Sequence, residues 1–97
     1  MIELSWSPQS FQDLQSIRAY IAEDSLVYAD LTAQRIVAAV ERLRVFPDSG
    51  RIVPERQSPD LREIIVGSYR VVYRRGVHTI EIVTVFRGSR EFPGSLQ

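Results

Sequence analysis

Residues 61–90 constrain this chain more than any other stretch, because they read as three consecutive strands separated by two-residue turns. Gly67-Ser68 suits a two-residue hairpin turn with glycine at its first position, and Arg75-Gly76 suits a second tight turn. In the middle strand Tyr69, Val71 and Tyr73 point to one face, and Arg70, Val72 and Arg74 point to the other. In the last strand Ile80, Ile82 and Thr84 alternate with Glu81, Val83 and Val85, which leaves both sheet faces fairly apolar. A sheet that is apolar on both sides needs two covers. One is expected from the rest of the chain, and the other from a partner protein or the C-terminal tail.

The N-terminal half supplies the first cover. Ile2, Leu4 and Trp6 alternate with Glu3 and Ser5 as in a strand, and Ser7-Pro8 then gives an N-cap followed by proline at the first helical position. Phe11, Leu14, Ile17 and Ile21 fall on one stripe of a helix that runs to about Ala22, where Asp24-Ser25 breaks it. The second helix runs from about Leu26 to Phe46. Ala29, Ala33, Ile36, Val40 and Leu43 form its face, widened by Tyr28 and Val37, and Pro47-Asp48-Ser49-Gly50 ends it. So short a link between two helices implies an antiparallel hairpin. The expected fold is α+β, ordered β-α-α-β-β-β, with the hairpin packed on a mainly antiparallel four-stranded sheet.

At 97 residues the chain has room for one domain, 1–97, and one modest core. It lacks a basic, apolar leader and any apolar run of about 18 residues, so a cytoplasmic protein without membrane contact is expected. With no cysteine and one histidine, His78, no metal or other cofactor is expected. Charge is uneven although the net is zero: residues 1–48 hold four arginines against seven acids, and residues 49–97 hold eight against five. All twelve basic residues are arginine. That could reflect a surface selected for planar contacts to carboxylate or phosphate, but a genome rich in arginine codons is the commoner cause. A neutral chain argues against a dedicated RNA binder.

The succession of strand, two helices and meander carries four local motifs: Pro47-Asp-Ser-Gly-Arg51, Leu61-Arg62-Glu63, Tyr69-Arg-Val-Val-Tyr73-Arg74 and Val85-Phe-Arg-Gly-Ser-Arg90. Their order and spacing over nearly the whole chain resemble the RelE/ParE superfamily of toxins. The long helix hairpin and the Pro-x-x-Gly-Arg corner look like its ParE branch, often called plasmid stabilisation proteins. The resemblance implies the toxin of a type II toxin-antitoxin system, neutralised by a cognate antitoxin through whose DNA-binding part the complex reaches operator DNA. ParE-type members poison DNA gyrase. RelE-type members are endoribonucleases that cleave mRNA on the ribosome. A degenerate, nontoxic antitoxin-binding member is the third reading.

RNA cleavage by 2′-hydroxyl attack needs a base, an acid and cations around the transition state. By resemblance Arg70 matches the arginine of the Tyr-Arg-x-x-Tyr strand, Arg62 falls where a RelE-type lysine would be, and Arg87 or Arg90 lies near a second arginine. An RNase would therefore use Arg70, Arg90 and Arg62. The tail 91–97 has neither tyrosine nor histidine, and arginine is a poor acid or base at neutral pH. Glu63 and Glu81 are formal candidates for the base, but pairing with an arginine is their commoner fate on a sheet. A phosphate clamp without a proton-transfer partner leans away from an enzyme and toward a ParE-like inhibitor. Arg70, Arg74, Arg87 and Arg90 are the candidates for contacting the target. Arg62, Arg70 and Arg74 have the structural alternative of pairing with Glu63, Glu81 or Glu91. Tyr69 and Tyr73 read as core aromatics, Trp6 as an anchor of the first strand, and Arg51 as a cap on the second helix's carbonyls.

Overall fold

A computed structural model, which describes residues 1–89 and 92–94, places two helices on one face of a five-stranded sheet. The elements are β1 (Glu3–Trp6), α1 (Pro8–Ala22), α2 (Leu26–Glu41), a 3₁₀ turn (Arg42–Arg44), β2 (Arg51–Ile52), β3 (Leu61–Val66), β4 (Tyr69–Arg75) and β5 (Thr79–Arg87). The sheet order is β1-β5-β4-β3-β2, with β1 parallel to β5 and the remaining pairs antiparallel. The expected α+β architecture is therefore present with one strand more. β2 is too short to show an alternation, and it exists because Arg51 and Ile52 lie in register with Glu63 and Arg62.

Both helix starts follow from their caps. Ser7 Oγ accepts the Ser10 amide at 3.0 Å and donates to the Val83 carbonyl at 2.9 Å, so one hydroxyl caps α1 and ties it to β5. Ser25 Oγ accepts the Tyr28 amide at 3.1 Å at the start of α2. Arg18 of α1 and Asp30 of α2 bridge the hairpin at 2.6 Å. The second helix ends earlier than its apolar pattern suggested, tightening into the 3₁₀ turn after Glu41. Phe11 lies on the stripe of α1 but is more than half exposed, whereas Leu14 and Ile17 pack on the core.

The main core lies between α2 and the sheet and is built from Ile36, Val40, Leu43, Tyr69, Val71, Tyr73, Ile80, Ile82 and Val85. The last strand departs from strict alternation. Tyr73 pairs with Ile82 but Val72 pairs with Thr84, so Val83 is an extra residue in a β-bulge. That insertion returns Val85 to the helix face and sends Phe86 to the opposite one, where it joins Val53, Leu61 and Val72 in a second cluster. Phe92 packs on this second cluster, so the tail supplies part of the second cover. Gly67-Ser68 forms the expected two-residue turn, with Gly67 at φ +58°. The other hairpin is longer than two residues: Gly76, Val77 and His78 separate β4 from β5, and the Gly76 amide bonds the Thr79 carbonyl at 2.8 Å. Among the described residues no helix is long and apolar enough to cross a membrane.

Candidate functional site

Arg70 stands at the centre of the second sheet face. It sits diagonally across from Glu63, because Arg70 pairs in register with Ile65 and Glu63 with Val72. Its Nε donates to Glu63 Oε1 at 2.7 Å, while Nη1 and Nη2 donate to the two Glu55 oxygens at 2.9 and 2.8 Å. Nη2 also stands 2.6 Å from Glu63 Oε1. Arg51, directly across from Glu63, takes the other oxygen, Oε2, at 2.6 Å. The order is therefore Arg51, Glu63, Arg70, Glu55, with Glu63 wholly buried and Arg70 only 7% exposed.

The chain builds this network from three separate segments. The strand register supplies Glu63, Arg70 and Arg51. A turn after β2, in which the Val53 carbonyl accepts the Arg56 and Gln57 amides and Gln57 takes a left-handed φ of 52°, carries Glu55. The tail adds Phe92, whose ring meets that of Phe86 edge-on at 5.8 Å. The Arg70 guanidinium lies 5.1 Å from the Phe86 ring centre and 5.6 Å from that of Phe92. The Arg70 hydrogen bonds hold the Glu55 carboxyl at a pKa of about 2, and the same bonds push Arg70 further above its ordinary range.

The other candidates do not converge on this point. Arg62 faces the helix side: it pairs in register with Tyr73, and its Nη1 donates to the Gly50 carbonyl at 2.9 Å. Arg87 pairs with Tyr69 and lies over that ring at 5.8 Å, also on the helix side. Arg74 shares the sheet face of Arg70 but stands 3.7 Å from Asp60. Arg90 and Glu91 lie outside the described residues. Arg51 binds Glu63 and not the carbonyls at the end of α2, which corrects the capping role expected for it. Glu63 is paired with arginine as expected, and it is wholly buried. Glu55 and Phe92 carried no signal as members of the site, because neither lies in a periodic segment.

Tyr73 holds the corner between the helices and the sheet. Its Oη donates to the Pro47 carbonyl at 2.8 Å and accepts the Gly50 amide at 3.0 Å, and burial pushes the phenol's pKa up. A Cβ at Gly50 would stand 2.6 Å from the Glu63 carbonyl oxygen, so the close approach of the corner to the sheet requires glycine there. The Pro47-to-Arg51 motif is thus a packed joint between helix and sheet.

The family model for the ParE toxin of type II toxin-antitoxin system, parDE, matches residues 4–92. The chain belongs to this family. A curated relative, Toxin RelE2 of Caulobacter vibrioides, is 29% identical over 91 residues, covering 93% of this chain and 99% of the relative. A solved chain described as the chromosomal ParDE TA system from P. aeruginosa superposes with a TM-score of 0.74 at 23% identity, over 90% of this chain and 96% of that one. The fold is thus that of the ParDE toxin, and the protein is a ParE-type toxin of a type II toxin-antitoxin system with a cognate antitoxin as its partner.

Proposed function

We propose that this ParE-type toxin acts by inhibiting DNA gyrase through protein contacts and does not cleave RNA. The observation that carries this reading is the commitment of Arg70. Nε, Nη1 and Nη2 of its guanidinium all donate to carboxylates, so binding a phosphate there would break charge-assisted bonds of the same strength. Both oxygens of Glu63 are likewise taken, which argues against its use as a base. Arg62 faces the other side of the sheet, so the phosphate clamp that a RelE-type mechanism needs is not assembled by these residues. We assign Arg74 on the face of Arg70, Arg87 on the helix side and Arg90 of the tail to contact with the target, and Arg70 to holding the sheet face that presents Arg74. Operator DNA is reached through the antitoxin alone, and a gyrase target sets the toxin in the cytoplasm.

A supercoiling assay titrated with the purified chain, with and without its antitoxin, tests this. Inhibition that the antitoxin reverses is the expected result. Ribosome-dependent mRNA cleavage by the same preparation would replace this reading with an endoribonuclease. A folded chain inactive in both assays would be a nontoxic antitoxin-binding member.

A further inference from the structure

On the helix side of the sheet, where the β3–β4 turn meets the hairpin, there is a cavity of about 190 Å³. Ile21 and Ile36 from the helices and Val66 from β3 give it apolar walls. Arg35 of α2 and Arg87 at the end of β5 also line it. Among the described residues neither guanidinium has a carboxylate partner or a hydrogen bond. By contrast Arg18, Arg44, Arg51, Arg70, Arg74 and Arg75 each have a carboxylate within 3.7 Å. Stacking on Tyr69 at 5.8 Å orients Arg87 without using its N–H donors. Thr32, buried in the same wall, brings a hydroxyl that has no hydrogen bond among the described residues. Two cations without a carboxylate partner among the described residues stand at one small cavity and repel each other, and an anion between them relieves that repulsion.

We propose that this cavity is a carboxylate site whose ligand carries its charge on a compact apolar body. A volume of about 190 Å³ is enough for a short branched stem with its carboxylate. The apolar walls select against a bare, strongly hydrated anion, whose shell they cannot replace. The planar guanidinium suits a carboxylate through paired N–H donors. This chemistry has two sources: an acidic residue beside a branched aliphatic one in a partner's segment, or a free short-chain acid. Arg87 is shared with the proposed target contact, but ligand binding to the isolated chain is read out without gyrase, so either reading can fail without the other.

Amide ¹⁵N shifts of the full-length chain provide the test, with 4-methylpentanoate, its uncharged amide, the blocked peptide acetyl-Leu-Glu-Leu-amide and inorganic phosphate as probes. Saturable shifts at Thr32, Gly67 and Ser68 with the acid or the peptide, and none with the uncharged amide, are expected. Saturation by the peptide identifies a partner segment as the source, and saturation by the free acid alone identifies a small molecule. Arg35→Gln and Arg87→Gln should each weaken binding by about tenfold, the loss of one charge-assisted hydrogen bond, while the thermal melt stays that of the parent. Phosphate binding as tight as either carboxylate, or no saturable shift with any probe, overturns the proposal. Unchanged affinity in both folded variants does the same.

Discussion

Arg70 and Glu63 meet at 2.6 Å on a sheet face where the glutamate is wholly buried and the arginine almost so. Neither charge has water to fall back on, and each is held by a second partner, Glu55 for Arg70 and Arg51 for Glu63. The pair therefore behaves as a structural unit, and a variant that removes half of it acts first on the fold.

Arg70→Ala leaves Glu63 buried with only Arg51, and should destabilise the chain by about 3 kcal/mol, the low end for breaking a buried ion pair because one partner stays. Chemical denaturation measures this. The double variant Arg70→Met with Glu63→Leu should recover most of the loss, since apolar replacement of both partners removes the uncompensated charge. Loss of toxicity in Arg70→Ala alone would consequently say little about chemistry. A double variant no more stable than Arg70→Ala would show that the pair is not the source of the effect.

The Glu55 carboxyl gives the fold a dependence on acid. Its pKa is lowered from 4.5 to about 2 in the folded chain, so its contribution is complete above pH 4.5 and is lost as pH falls from there toward 2. Glu55 is partly exposed and salt screens the interaction, which keeps the effect modest. Denaturation midpoints at pH 6 and pH 3 should differ less in Glu55→Gln than in the parent. An equal difference would assign the acid sensitivity to other carboxylates.

Tyr73→Phe removes the hydroxyl that joins Pro47 to Gly50 and leaves a buried amide without its acceptor. The expected cost is about 1–3 kcal/mol, and a thermal melt should fall by about 4–8 °C for each kcal/mol in a chain of this size. Gly50→Ala should destabilise as well, because its Cβ meets backbone at 2.6 Å and the corner must move outward. A melt unchanged in both variants would contradict the joint.

Phe92→Ala uncovers the cluster of Val72 and Phe86 and takes one ring from beside Arg70. A loss of about 1–2 kcal/mol is expected from burial and the edge-on pair with Phe86. Binding of an apolar dye to the folded variant should rise, and an unaltered dye signal would mean that the tail does not cover this face.

Much of this arrangement was legible because it rests on local chemistry. The glycine-first turn at Gly67-Ser68 and the Ser7-Pro8 helix start fell where their residues allow little else. Tyr69, Val71 and Tyr73 shared a face because alternation in a strand has only two outcomes. The features that escaped depend on distant partners. β2 exists only through its register with β3, and the Val83 bulge only through the packing that draws Val85 inward. Arg51 and Glu55 offered a charge but no direction until the strands met. Of the arginines read as target contacts, Arg70 and Arg74 share a face and Arg87 lies on the other, by the same alternation, while Arg90 lies outside the described residues.

The parallel pairing of β1 with β5 sets Glu3 against Thr79, so the first strand to leave the ribosome waits for the last. Such pairing is slow to form, because most of the chain must be ordered before it is rewarded. While the sequence is being made, the hairpin can gather but the sheet it packs on cannot close. A chain that stops before β5 keeps Tyr69, Val71 and Tyr73 for the helices to pack on but lacks Ile80, Ile82 and Val85, so that core stays half built. The platform on which the helix hairpin packs is therefore complete only once the last strand has been added.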